Sequence, residues 1–146
     1  MRFAGLSVLL LIAFVVGACG QDDAADAEAT VSSAISGVAA GDAGKVCGKL
    51  TPAAEKKVLV ELRHNPVGPD INAKTCEEAL TKLHASLTKA QRAILVDGEV
   101  GDAKVKGDKA TVRVIGVGMT ADLQKIDGKW MITGGLFRLG NRTVSG

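Results

Sequence analysis

The hydrophobic period of this chain changes once, and that change decides which folds are open to it. From Ala24 to Leu87 apolar residues recur at three- and four-residue steps, which gives a helix one buried stripe. From about Val100 they recur at every second residue, which gives a strand one buried face. Ala27, Val31, Ala34, Ile35 and Val38 form the first helical stripe, and Ala110, Val112 and Val114 alternate with Thr111 and Arg113. Helices first and antiparallel strands after is an α+β order. The chain carries no internal repeat.

The punctuation divides these blocks. Gly41 stops the first helix, and Asp42 caps a short turn holding Val46, Cys47 and Leu50. Thr51-Pro52 reads as an N-cap followed by proline at the first helical position. The helix it opens presents Ala54, Val58, Leu59 and Leu62 inward and ends before Asn65-Pro66, leaving His64 to Lys74 as a loop. Thr75 and Glu78 have the spacing of a capping box, and Cys76, Ala79, Leu80, Leu83 and Leu87 define the clearest helix of the chain. Val105 leads into a Gly107-Asp108 turn, and Met119 to Ile126 is a further strand. Asp127-Gly128 is a two-residue hairpin signal that sets Leu123 opposite Ile132 and Lys125 opposite Trp130, with the lysine stem over the indole. Gly134-Gly135 is expected to bend or bulge the last strand.

Residues 1–18 follow a different pattern. Arg2 beside the amino terminus precedes an apolar run from Phe3 to Ala18, sixteen residues and so short of the ~20 that span hydrocarbon as a helix. A charged start, a short apolar run and small closing residues make an export signal. Val16-Gly17-Ala18-Cys19 has the form of a lipobox, with small residues for the peptidase and a thiol to accept a diacylglyceryl group. Four segments follow: a leader over 1–18, a lipidated Cys19 with a short tether to 23, a domain over 24–138 and a flexible tail over 139–146. The expected location is a bacterial cell membrane, with the domain outside the cytoplasm.

Composition narrows the partners. Losing residues 1–18 removes one basic side chain and takes the formal charge from +2 to +1, too little to argue for nucleic acid. One tryptophan and no tyrosine argue against a base-stacking platform. With Cys19 assigned to lipid, Cys47 and Cys76 are expected to pair in an exported chain, the alternative being two buried thiols. No CxxC and no histidine cluster suggests a metal site, and no cofactor is expected.

The order of these features resembles the nuclear transport factor 2-like superfamily (a cystatin-like α+β fold), and more narrowly small bacterial lipoproteins of that type. The resemblance is carried by the helix ending at Gly41-Asp42, by Cys47-Gly48-Lys49-Leu50-Thr51-Pro52, and by Cys76-Glu77-Glu78-Ala79-Leu80. Gly107-Asp108-Lys109-Ala110-Thr111-Val112 and the turn Asp127-Gly128-Lys129-Trp130 complete it. It covers about Asp23 to Phe137. It implies N-terminal helices packed in a curved antiparallel sheet, a cone with an apolar pocket at its open end. Leu83, Leu87, Met119, Leu123, Trp130 and Ile132 are the candidate pocket wall, and Met131 and Phe137 are core or wall. Isomerases of this fold use a tyrosine with aspartates, and the chain has no tyrosine, so no catalytic position carries over.

Few side chains suggest chemistry. Alternation points Asp122 away from Ala121 and Leu123, as a solvated carboxylate or, on a curved sheet, a base at the mouth. His84 flanks the stripe of the Cys76 helix, and His64 closes the preceding helix. Arg113 faces away from Val112 and Val114. The expectation is a membrane-anchored protein that binds a small apolar ligand or a partner protein without catalysis. The alternatives are a dehydratase- or isomerase-like enzyme using Asp122 or His84, and a structural subunit of an envelope complex.

Overall fold

The computed structural model describes residues 19–64, 69–97 and 99–137, with side chains from Asp22 onward. The leader, the side chain of Cys19 and the tail lie outside the described residues. Among the described residues, five helices and a four-stranded antiparallel sheet make an α+β fold. The helices are α1 (Cys19–Ala40), α2 (Ala43–Cys47), α3 (Pro52–Arg63), α4 (Cys76–Ser86) and α5 (Lys89–Val96). The strands are β1 (Lys104–Lys106), β2 (Lys109–Val114), β3 (Met119–Ile126) and β4 (Lys129–Gly134), a meander in chain order that does not close.

The helix boundaries follow from their caps. Gly41, at φ +75, ends α1: its N–H bonds Val38 O at 3.2 Å and the Asp42 N–H bonds Gly37 O at 2.9 Å, the paired bonds of a Schellman motif. Asp42 then caps α2 through the Lys45 N–H, and Thr51 caps α3 through the Ala54 N–H. At α4, Thr75 accepts from the Glu78 N–H at 3.2 Å, but the Glu78 carboxylate reaches back to the N–H of Lys74, not of Thr75. The expected box is thus closed one residue further out. That backbone donor first, and then the Lys82 ammonium 2.7 Å away, hold the Glu78 carboxyl below the usual carboxylate range. A complete capping box occurs instead at α5, between Thr88 and Gln91.

All five residues of the first stripe are buried, as are Ala54, Val58 and Leu62 of α3 and Cys76, Ala79, Leu80 and Leu83 of α4. Leu59 is only partly buried. Along β3, Met119, Ala121 and Leu123 face the core while Thr120 and Asp122 face solvent. α1 packs against β1, β2 and β4, α3 against β4, and α4 against α1, α2 and α3. Cys47 and Cys76 form a disulfide that ties the end of α2 to the first turn of α4, with Cα atoms 6.0 Å apart.

The sheet register matches the turn chemistry. Leu123 pairs with Ile132 and Lys125 with Trp130 across the Asp127-Gly128 turn. Asp122 pairs with Gly134, so Thr133 is the extra residue of a bulge. The two outer edges are treated differently. β1 is three residues long and exposes Lys104 and Lys106. β4 is met by the segment before α3, where Leu50 bridges to Ile132 in parallel.

Candidate functional site

The most distinctive surface lies along the edge of β4. Ile132 donates its N–H to Lys49 O at 2.8 Å and accepts from the Thr51 N–H at 3.0 Å. Strand alternation turns the backbone groups of Trp130 to that same edge. There the chain around Gly48 and Lys49, one side of α1 and the β3–β4 hairpin enclose a cleft of about 430 Å³. α1 contributes Asp26, Ala29 and Thr30, and the hairpin contributes Gly128, Lys129, Trp130 and Met131.

Each side of the cleft has its own chemistry. Lys49 and Lys129 bring two ammonium groups and Asp26 one carboxylate, while the Thr30 hydroxyl donates to Asp26 O at 2.9 Å. Trp130 is 4% exposed, and its buried Nε1 has no hydrogen-bond partner among the described residues. Buried polar atoms are nearly always paired, so this donor needs a reason to stand alone. Lys125 lies over the ring, its Nζ 5.8 Å from the centroid, and forms an ion pair with Asp23. The start of α1, the hairpin and the indole are therefore tied together.

The sequence-predicted positions fall elsewhere, with one exception. Of the candidate pocket wall, Trp130 alone lines the cleft. Leu83, Met119, Leu123 and Ile132 belong to the core between helices and sheet, and Leu87 packs partly buried against it as the C-cap of α4. Asp122 and Arg113 are exposed on the outer face of the sheet, and His64 is an exposed helix end. His84 is a junction between helices. Its Nδ1 is 3.1 Å from Val38 O, and since a carbonyl only accepts, Nδ1 carries the proton. Its Nε2 faces the Arg92 guanidinium at 3.4 Å, and its ring lies where a Cβ on Gly41 would come within 2.9 Å. Neither His84 nor Asp122 lines the cleft.

Asp26, Thr30, Gly48, Lys49 and Lys129 were not legible as site residues. They sit on the polar face of α1, between two short helices and after a turn, where periodicity carries no information. Among the described residues, no three His, Cys, Asp or Glu side chains gather where they could hold a metal ion. No described helix is long and apolar enough to cross a membrane. Comparison of the chain with family models, with curated proteins and with solved structures returns no match.

Proposed function

We propose that this chain is a lipid-anchored lipoprotein facing outside the cytoplasm, which binds a small amphipathic molecule beside Trp130 and does no chemistry on it. The observation that carries the binding reading is a cleft lined by Trp130, Lys49 and Lys129, beside an indole whose buried Nε1 has no hydrogen-bond partner among the described residues. An apolar body would enter at the edge of β4, beside Met131 and the exposed rim of Trp130, and an acidic or phosphate end would meet the two lysines. Anchoring is supported by Val16-Gly17-Ala18-Cys19 and by the Cys47–Cys76 disulfide, which suits an oxidising compartment. Kinship with nuclear transport factor 2-like domains is supported by the helices-first order, the antiparallel meander and the Asp-Gly-x-Trp turn. The inner face of the sheet is occupied by core side chains, so the ligand is assigned to the edge of β4.

Trp130 is the sole tryptophan of the chain, so its emission reports on the cleft without labels. Titration with fatty acids and lysophospholipids is expected to shift that emission saturably, and Lys49→Glu with Lys129→Glu to remove the response. A native protein whose emission and melting temperature ignore every amphiphile overturns the ligand reading. Intact-mass analysis of detergent-extracted protein is expected to find diacylglyceryl on Cys19, and an unmodified residue there overturns the anchoring.

A further inference from the structure

The position of Cys19 along α1 also says which end of the domain meets the membrane. α1 and β3 run antiparallel, and two contacts fix their relative level. Glu28 Oε1 accepts from the Ala103 N–H at 2.7 Å, and Ala103 adjoins Lys104, whose row across the sheet is Thr111 and then Asp122. Asp23 pairs with Lys125. Moving from Glu28 to Asp23, about 7.5 Å back along the helix, thus moves from Asp122 to Lys125, about 10 Å along the strand. Cys19 lies a further four residues back, about 6 Å, which brings its backbone level with the Asp127-Gly128 turn. The Gly107-Asp108 turn is at the same end: the Lys125 N–H donates to Asp108 O at 2.7 Å, and Gln124 Nε2 to Asp108 Oδ2 at 3.4 Å.

We infer that the two hairpin turns, Gly107-Asp108 and Asp127-Gly128, form the end of the domain that rests on the lipid headgroups, and that the β2–β3 loop is the end turned away. The inference rests on the acylation of Cys19 proposed above. Cys19–Ala40 is one helix, so no slack chain separates the lipid from the Asp23–Lys125 ion pair. The end bearing that pair cannot leave the headgroup layer while the acyl chains stay in hydrocarbon. Its surface suits the place. Ile126 is 40% exposed there, beside the exposed Lys106, Lys109 and Lys129. Their ammonium groups can meet lipid phosphates while their stems lie toward the glycerol level. Asp108 and Asp127 share the surface, so the lipid supplies the attachment and the turns set the orientation.

The test uses full-length acylated protein in vesicles of phosphatidylethanolamine and phosphatidylglycerol with some nitroxide-headgroup lipid. Lys109→Cys and Ile115→Cys each add a thiol for a fluorophore, the other cysteines being acylated or in the disulfide. The two positions, at the start of β2 and just past its end, are six residues apart, about 20 Å in extended chain. Headgroup nitroxide is expected to quench the label at 109 at least threefold more than the label at 115. Equal quenching, or stronger quenching at 115, overturns the orientation. Lys129→Cys is a second probe of the same end should the first variant fold poorly. Intact mass is read on the same samples. Acylated Cys19 with equal quenching defeats the orientation alone, whereas unmodified Cys19 defeats the anchoring and the orientation with it.

Discussion

Gly135 is the residue with least freedom to change. Its φ is +82, and a Cβ there would lie 2.0 Å from the carbonyl oxygen of Thr120. Left-handed backbone costs other residues about 1–2 kcal/mol and forced overpacking about 1–3 kcal/mol. Gly135→Ala is therefore expected to lose about 3 kcal/mol in urea unfolding, and a loss below about 1 kcal/mol would mean that the backbone adapts. Gly134-Gly135 was readable as a bend or bulge of the last strand, and the strand bulges beside Gly134; that Thr133 is the extra residue was not readable, because register depends on cross-strand partners that no single segment reveals. Glu78 gives a pH dependence. Its carboxyl is held low by the Lys74 N–H and then by Lys82, so its contribution is present above the unfolded value and is lost as pH falls through the folded one. Glu78→Gln is expected to melt below the native protein at neutral pH, the gap closing as pH falls through the carboxylate range. A gap that stays constant with pH would remove that role.

At the scale of elements, the disulfide and α5 are opposites. The disulfide joins residues 29 apart, and closing such a loop stabilises by about 3–4 kcal/mol in the chain-entropy model. Cys47→Ala with Cys76→Ala is expected to lose about that much in denaturant, less if the unfolded chain stays compact. α5 buries no residue fully and exposes Ile94 and Val96; it is held by Leu95 packing partly buried against the core, by its contact with α1, by the Thr88–Gln91 box and by the Arg92–His84 contact. Thr88→Ala is expected to cost about 1 kcal/mol of local stability and to speed amide exchange in α5 while α4 stays protected. Unchanged exchange in α5 would show that its contact with α1 suffices. The stripes of α1, α3 and α4 were legible because burial on one face imposes a period. α5 was not: Ile94, Leu95 and Val96 are consecutive, and its signature is a cap.

At the scale of the molecule, the α+β class and the pairing across the Asp127-Gly128 turn were legible, whereas the cleft was not. Its walls come from α1, from the turn before α3 and from the β3–β4 hairpin, and only the folded chain brings them together. Trp130 was expected both as the partner of Lys125 across a hairpin turn and as pocket wall, and of that wall it alone lines the cleft. Cys19→Ala is expected to move the protein from the membrane fraction to the soluble one with its melting temperature unchanged. Retention of that variant in washed membranes would count against acylation at this position.

The short lysine-bearing β1 and the partly paired edge of β4 acquire a further meaning if many copies share one leaflet. Confinement to a surface raises local density far above that of the same number of molecules in bulk, and bare sheet margins would then zip together between neighbours. With one margin paired at Ile132 and the other brief and cationic, little bare strand is left for adjacent copies to pair with, and they can be crowded side by side without forming fibrils.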